Sequence, residues 1–292
     1  MILNPLGHTG LNISALGFGA MHINDERTSE AEAGALLNHV LDEGVNLIDT
    51  ARGYGLSEER IGRHLAHRRK EFVLSTKVGY GVEGVPDWTY DCIVRGVERA
   101  LKLMKTDWLD IVHLHSCPLH VLQQGDVTRA LNDCRAAGKL RVAAYSGDNA
   151  EIDFAIESGA FGSLQTSVSL CDQAHLQHRA ARADHAGIGV IAKRPLAGAV
   201  WRFAERPSDF AEGHYWDRFQ AMGLQRQDDW ADVALRFAAF HTGAASAIVG
   251  TARSRNLQHN LAAIARGPLP PMLAAAIRDA FHHRGSDWPG LI

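Results

Sequence analysis

The sequence is short of cysteine, proline and aromatic residues. Its 292 residues include four cysteines and nine prolines, and 7% of them are aromatic. The cysteines form no CxxC pair, which favours a reducing compartment over a disulfide framework, so we expect a cytoplasmic protein. The chain does not open with a charged stretch followed by an apolar one, and no apolar run reaches the length of a membrane span. The sequence therefore predicts neither a secretory signal nor a membrane protein.

An excess of charge of one sign is also missing. The formal net charge is -3, from 30 basic and 33 acidic residues, and the basic residues are dispersed. This pattern gives no electrostatic footprint for nucleic acid, so we expect no nucleic-acid partner. Histidine is frequent, at 16 residues, but no HExxH motif or zinc-finger spacing occurs, and we expect no metal.

Hydrophobic residues make up 46% of the chain, and they occur in short runs rich in Val, Ile and Leu. Near-continuous apolar runs are typical of parallel strands that are buried on both faces. The strand candidates are Ala15–Gly19, Val45–Asp49, Phe72–Lys77, Leu109–His115, Arg141–Ser146, Ser163–Ser167, Ile188–Lys193 and Ser246–Gly250. Each is followed by a segment with helical spacing or capping residues.

The predicted helices are Ser29–Glu43, Ser57–Leu65, Thr89–Leu103, Asp126–Ala137, one from Asp148 or Asn149 to Ser158, Asp172–His185, Asp228–His241 and Ser254–Ala265. Eight strand–helix repeats with right-handed crossovers close into an α/β (β/α)8 TIM barrel, here one domain over residues 1–292. An open doubly wound sheet is disfavoured because no dinucleotide fingerprint opens the first unit. We further predict a hairpin at Ile2–Ser14, an active-site loop at Trp201–Gln227 and a last helix in the tail.

Most of the predicted strands end in a polar or charged side chain. These residues are Asp49, Lys77, His115, Ser146, Gln165 and Lys193. In a barrel the carboxyl ends of all strands meet at one mouth, where such enzymes carry their chemistry. An acid, an ammonium and an imidazole at one mouth are hard to explain as turn formers, so we expect a catalytic site there.

Several motifs together resemble the aldo-keto reductase family. The segment from Gly44 to Gly62 reads GVNLIDTARGYGLSEERIG and is similar to that family's signature. The likeness continues in LGHTG from Leu6, LGFGA from Leu16, TDWLDIVHLH from Thr106, RPLAG from Arg194 and the segment Gly250–Asn260. It covers nearly the whole chain, and it implies a nicotinamide-dependent oxidoreductase.

The resemblance implies a catalytic tetrad of Asp49, Tyr54, Lys77 and His115. Its physical logic is that hydride addition to a carbonyl leaves an alkoxide that needs a proton. A phenol, with an ordinary pKa of about 10, is a poor donor unless its anion is stabilised. Lys77 would stabilise that phenolate, Asp49 would hold Lys77 charged and in place, and His115 would donate to the carbonyl oxygen and orient it.

The resemblance also implies a cofactor site after the last strand. Gly250, Thr251, Arg253 and Asn256 open a helix there, which suits a phosphate group, and Asn260 is expected to meet the adenine. This favours NADPH, with NAD(H) as a second possibility. The other expected cofactor residues are Gly19, Ala20, Met21, Asp49, Ser146, Asp148, Gln165, Lys193, Arg194, Pro195 and Leu196. The GxGxxG at Gly79–Gly84 is instead expected to be a flexible mouth loop, because proline follows it before any helix.

Three positions depart from the family pattern. Asp148 stands where an asparagine is common after the fifth strand, and we expect it to take over that role. Lys193 replaces an aromatic that stacks on nicotinamide, and we hypothesise that its charge favours the pyrophosphate or an acidic substrate group. His259 stands where the family often has a glutamate, which affects the expected adenine contact.

The predicted reaction is reversible hydride transfer between NADP(H) and a small aldehyde, ketone or aldose. The predicted mouth is lined by aromatic residues, with Met21, Tyr54, Trp88 and parts of Trp201–Gln227 around the substrate. Two alternatives stay open. The first is a non-catalytic regulatory subunit that binds nicotinamide, and the second is a metal-dependent barrel hydrolase that uses His113 and His115.

Overall fold

The structure, a computed structural model, describes residues 1–291, and within them eight parallel strands form a closed barrel. The strands follow one another in chain order, and the last pairs with the first, with Gly250 opposite Gly19. A separate antiparallel hairpin precedes the barrel. The hairpin strands are β1 (Leu3–Pro5) and β2 (Asn12–Ser14), and the barrel strands are β3 (Leu16–Gly19), β4 (Leu47–Asp49), β5 (Val73–Val78), β6 (Leu109–His115), β7 (Leu140–Ser146), β8 (Ser163–Ser167), β9 (Gly189–Lys193) and β10 (Ser246–Gly250). The predicted (β/α)8 barrel with an N-terminal hairpin is confirmed.

The helices surround the barrel. They are α1 (Glu30–Asp42), α2 (Ser57–Leu65), α3 (Tyr90–Leu103), α4 (Leu119–Gln124), α5 (Asp126–Ala136), α6 (Asn149–Glu157), α7 (Ala174–His178), α8 (Ala180–His185), α9 (Phe210–Met222), α10 (Trp230–Phe240), α11 (Ser254–Ala265) and α12 (Pro271–Gly285). Local chemistry sets their bounds, as α1 illustrates. Ser29 and Glu32 form a reciprocal capping box at its start, and Gly44 follows its end with a φ of +80°. None of the helices described is long and apolar enough to cross a membrane.

The hairpin closes one end of the barrel. Leu6, Leu11 and Ile13 pack against side chains near the amino ends of the strands, including Leu47 and Ile111, in one buried apolar cluster. Burial of this surface is the main stabilising contribution at that end. The opposite end, where the strands finish, is left open for the polar side chains that end them.

Two predicted segments are wrong in detail. The predicted helix Asp172–His185 is broken into α7 and α8, because Arg179 leaves helical geometry while its guanidinium binds Asp153 on α6 at 2.7 Å. The predicted loop Trp201–Gln227 contains α9, which Asp209 caps at its start and Gly223 ends. The apolar residues of α9 do not keep to one face, so the sequence carries no clear helical period there. The short helix α4 has no counterpart in the prediction.

A buried histidine near the broken helix predicts a pH effect on stability. His175 is 1% exposed, and neither ring nitrogen has a hydrogen-bond partner within residues 1–291. Burial, reinforced by Arg179, lowers the pKa of His175 from 6.5 to about 4. The unfolded chain therefore binds more protons than the folded one between these values, and the free energy of unfolding should fall as the pH drops through that window.

We expect His175→Leu to raise the free energy of unfolding by about 1–3 kcal/mol at neutral pH, because it removes a buried polar group without partners. It should also make stability less dependent on pH between 6.5 and about 4. Urea unfolding across this range measures both effects. The exposed His120, changed to leucine, is the matched control and should alter neither. An unchanged pH dependence in His175→Leu would contradict the prediction.

Candidate active site

The carboxyl ends of the strands surround a cavity of about 1050 Å³ at the open end of the barrel. Most of the residues that the sequence assigns to catalysis or cofactor binding come together in its wall. They are Gly19, Met21, Asp49, Tyr54, Lys77, His115, Ser146, Gln165, Lys193, Arg194, Pro195, Leu196, Gly250, Thr251, Arg253 and Asn256. The fold thus brings strand ends that are distant in the sequence to one mouth.

Four of the expected residues do not line this cavity. Ala20 is fully buried in a 3-10 helix, and Asn260 faces the core side of α11. Asp148 is 3% exposed and turned inward. Trp88 packs behind Tyr80 and borders a different surface pocket. The expected aromatic lining is therefore wrong in part, since the cavity wall mixes the rings of Tyr54 and Tyr215 with charged side chains.

Lys77 and Asp49 form a buried ion pair at the base of the cavity. The Nζ of Lys77 donates to Asp49 Oδ2 at 2.6 Å and to the Thr50 carbonyl at 2.8 Å. Ser75 and Gln165 donate to the other Asp49 oxygen at 2.8 and 3.0 Å. Burial opposes the charge on Lys77, but Asp49 and then Tyr54 outweigh it and raise the pKa of Lys77. The ammonium therefore stays charged although the side chain is almost fully buried.

Tyr54 lies over this pair on the loop after β4. Its ring centroid is 5.0 Å from the Nζ of Lys77, and its ring meets that of His115 edge to face at 6.0 Å. The loop is tight beside it. Gly55 has a φ of +44°, and a Cβ there would lie 2.3 Å from the Asn24 carbonyl oxygen, so glycine is required. The half-buried phenol thus sits between an ammonium, an imidazole and the cavity.

The two histidines of β6 have separate surroundings. Burial, with the Lys77 ammonium, lowers the pKa of His115 to about 3, so this imidazole is neutral at physiological pH. Its Nδ1 lies 2.7 Å from the Tyr80 hydroxyl, whereas His113 is fully buried with Nε2 3.2 Å from the Ser75 hydroxyl. Within the described part of the chain, no group of three His, Cys, Asp or Glu side chains is arranged to hold a metal ion. The arrangement gives no support to the hydrolase alternative.

Gln165 and Ser146 are linked to the ion pair. Ser146 donates to the amide oxygen of Gln165 at 3.1 Å, and the Gln165 amide donates to Asp49 at 3.0 Å. Both side chains were expected to hold a nicotinamide carboxamide. They form a preorganised chain of hydrogen bonds from β7 across β8 to β4, at the wall of the cavity.

The charge of Lys193 is paired within the protein. Its Nζ lies 3.1 Å from Asp148 Oδ2, and Asp148 also accepts from Thr166 and from the backbone and hydroxyl of Ser167. Burial lowers the pKa of Lys193, and the Asp148 carboxylate opposes that effect. The two departures from the family pattern, Asp148 and Lys193, are therefore one ion pair, which joins the strand ends of β7 and β9.

The wall between β3 and β10 carries several of the residues that the sequence assigns to cofactor binding. Gly19 and Gly250 are opposite each other in register at the cavity, and a Cβ on Gly250 would lie 2.7 Å from the His22 ring, so this position has no room for a larger residue. Beyond them α11 begins at Ser254, with the exposed Arg253 at its N-cap. Thr251 accepts from the Arg253 amide at 3.0 Å and fixes this turn. An arginine at a helix start is a suitable anchor for a phosphate.

Three residues at or beneath the mouth are missed by the sequence reasoning. Ser75 lies two positions before Lys77 and so shares its strand face, a signal that alternation along the strand could have given. Tyr80 lies in the loop after β5 and contacts His115. Tyr215 reaches the cavity from α9, which was not predicted as a helix. For Tyr80 and Tyr215 the sequence carries no periodic signal.

A sequence profile of the Aldo/keto reductase family matches residues 15–281. The chain therefore belongs to the aldo/keto reductases, a family of oxidoreductases whose members generally bind NAD(P)H.

Individual relatives include enzymes and a channel subunit. L-galactose dehydrogenase from Arabidopsis thaliana is 28% identical over 209 residues, which are 67% of this chain and 65% of that protein. The uncharacterized oxidoreductase YqkF from Bacillus subtilis is 25% identical over 280 residues, 88% of this chain and 89% of that protein. A probable voltage-gated potassium channel subunit beta from Oryza sativa is 36% identical over 134 residues, 44% of this chain and 40% of that protein.

Solved structures share the fold. Aldo-keto reductase AKR11C1 from Bacillus halodurans, in its holo form, superposes with a TM-score of 0.84 at 24% identity, covering 98% of this chain and 97% of that one. A putative aldo-keto reductase from Pseudomonas aeruginosa gives a TM-score of 0.70 at 28% identity, covering 94% and 95%.

Proposed function

We propose that this chain is an NADPH-dependent carbonyl reductase with Tyr54 as its general acid. Its substrates would be small aldehydes, ketones or aldoses, and in the reverse direction it would oxidise the corresponding alcohols with Tyr54 as base. The observation that carries this proposal is the buried Lys77–Asp49 pair beside the Tyr54 ring, with Nζ 5.0 Å from its centroid, at the mouth that also holds His115. A structural ion pair alone would not need a phenol and a neutral imidazole next to it.

Each side chain has one part in the reaction. When bound, reduced nicotinamide supplies a hydride to the carbonyl carbon. Tyr54 gives its hydroxyl proton to the carbonyl oxygen, so that the product is a neutral alcohol, and Lys77 stabilises the phenolate that is left. Asp49 holds Lys77 charged, and the neutral His115 orients the carbonyl by a hydrogen bond.

The same wall would hold the cofactor. The dinucleotide would run along the cavity wall past Gly19 and Gly250. The Ser146 hydroxyl and the Gln165 amide would face the carboxamide, and Arg253 would meet the 2′-phosphate. Because Lys193 is already paired with Asp148, its charge is only partly available to the pyrophosphate or to an acidic substrate group. Asn260 would have to turn from its buried position to reach an adenine.

Arg253→Ala tests the cofactor preference. We expect the Kd of NADPH to rise about tenfold or more, since a charge-assisted hydrogen bond to phosphate is lost, while the Kd of NADH stays unchanged. Fluorescence titration with both nucleotides measures this. Arg266, at the other end of α11, is the matched control, and its change to alanine should affect neither nucleotide. Equal weakening of NADPH and NADH by Arg253→Ala would contradict a 2′-phosphate contact.

A second candidate function is a regulatory subunit that binds nicotinamide without turning over a carbonyl. The similarity to a potassium channel beta subunit favours this alternative over others, but it covers 44% of this chain. One measurement distinguishes the reductase from the regulatory subunit. A panel of aldehydes, ketones and sugar alcohols is screened with NADPH, NADH and their oxidised forms, and consumption of NADPH that requires a carbonyl supports the reductase. Tight NADPH binding with no turnover across the panel supports the subunit.

A further inference from the structure

A second tyrosine contacts the histidine of the tetrad. The Tyr80 hydroxyl lies 2.7 Å from Nδ1 of His115, and the two rings stack with centroids 5.4 Å apart and 27° between their planes. We propose that Tyr80 is a positioning residue that fixes His115 in the tautomer with its proton on Nε2. The inference rests on the proposed carbonyl reduction and adds a residue outside the tetrad and the cofactor wall.

The loop after β5 holds Tyr80 firmly. Gly79 has a φ of +141°, and a Cβ on it would lie 2.1 Å from the Trp88 ring, so glycine is needed for Trp88 to pack there. Trp88 donates its backbone N–H to the Gly79 carbonyl at 2.7 Å, and its ring meets that of Tyr80 at 5.9 Å. Arg52 binds the Gly81 carbonyl at 2.6 Å. The Tyr80 ring is thus fixed between Trp88 and His115 in a loop that the sequence suggested to be flexible.

The direction of the hydrogen bond follows from the protonation of the two groups and from their strengths as donor and acceptor. Burial, and then the nearby Tyr54, raises the pKa of Tyr80, so its phenol keeps its proton. The imidazole of His115 is neutral and has one unprotonated nitrogen. Within the described chain, Nδ1 of His115 is the hydrogen-bond partner of the phenol. A phenol O–H is a stronger hydrogen-bond donor than a neutral imidazole N–H, and an imidazole nitrogen is a stronger acceptor than a phenol oxygen. The phenol therefore donates to Nδ1, and the imidazole proton is left on Nε2.

This tautomer suits the reaction. Nε2 makes no hydrogen bond to any residue between 1 and 291, and His115 lines the cavity beside Tyr54. An N–H at Nε2 donates to the same carbonyl oxygen that accepts the proton of Tyr54. In the other tautomer a nitrogen lone pair would face that oxygen and repel it. Tyr80 acts through His115 and does not itself need to touch the substrate.

Tyr80→Phe tests the proposal, because it removes the hydroxyl and keeps the stacked ring. Nitrogen-15 NMR of labelled histidine should show His115 protonated on Nε2 in the wild-type protein and a mixture of tautomers in the variant. One typical hydrogen bond biases the tautomer ratio about tenfold, so its loss should leave roughly equal tautomers and lower kcat for carbonyl reduction about twofold, with the Kd of NADPH unchanged. Tyr90→Phe is the matched control, since its hydroxyl binds Asp133 at the same 2.7 Å outside the cavity. It should change neither quantity.

Three results would overturn the proposal. One is an unchanged His115 tautomer in Tyr80→Phe, and another is an unchanged kcat despite a shifted tautomer. The third is a loss of activity as deep as that of Tyr54→Phe with the tautomer unchanged, which would make Tyr80 a proton donor. Failure of the proposed function can be distinguished from failure of this inference, because the wild-type protein would then reduce no carbonyl. The NMR comparison would still test the contact between Tyr80 and His115.

Discussion

Replacing Tyr54 by phenylalanine is expected to lower kcat for carbonyl reduction by about 10³-fold, within the range that general acid catalysis contributes. The Kd of NADPH should stay unchanged, because the ring and its contacts with Lys77 and His115 are kept. Steady-state kinetics with one reactive aldehyde and a fluorescence titration of NADPH measure the two quantities. The loss should fall on kcat rather than on KM, since the lost proton donor acts only as the alkoxide forms.

Tyr90→Phe is again the control for removing a phenol hydroxyl, and it should keep full activity. Tyr80→Phe gives a further comparison, because its expected loss is smaller and arises through His115. Full activity of Tyr54→Phe would refute the proposed mechanism. If Tyr54→Phe and Tyr80→Phe both lost all activity, the two tyrosines could not be told apart as proton donors. That result would contradict the role of Tyr54 as the sole general acid.

Lys77→Met is expected to lower both activity and stability. The activity should fall by about 10² or more, because the charge that stabilises the Tyr54 phenolate is lost. The free energy of unfolding should fall by about 3–5 kcal/mol, since Asp49 is then left as a buried charge without its counterion. Steady-state kinetics and urea unfolding at neutral pH measure these effects. Ser75 and Gln165 still donate to Asp49, but neutral donors do not replace an ammonium.

The double variant Asp49→Asn with Lys77→Met separates the two effects. Removing both charges should restore most of the lost stability, whereas activity should stay as low as in Lys77→Met. Retained activity in the double variant would contradict the part assigned to Lys77.

The barrel could be predicted because its strands are buried on both faces and therefore read as continuous apolar runs. All eight were expected, and their ends differ from the structure by at most a few residues, as for Val45–Asp49 against Leu47–Asp49. The position of the mouth could be predicted from these strands, because parallel strands in a barrel all end on the same side. The strand pattern alone therefore predicts that Asp49, Lys77 and His115 meet at one mouth.

Other parts of the site depend on tertiary contacts that no local pattern encodes. The break at Arg179 comes from its bond to Asp153 on another helix. The inward turn of Asp148 comes from partners on β8 and β9. Tyr80 reaches His115 only because the Gly79–Trp88 contact folds the loop that way. These features are set by side chains that are distant in the sequence, so the periodicity of the sequence does not predict them.

The most direct test of the account is deuterium transfer from NADPH labelled at the transferable position of its nicotinamide to a small aldehyde. The wild-type protein is predicted to place one deuterium on the carbinol carbon of the alcohol, and Tyr54→Phe to form the same product about 10³-fold more slowly. Bound NADPH with no labelled alcohol from any aldehyde, or a labelled alcohol formed equally fast by Tyr54→Phe, would contradict the account.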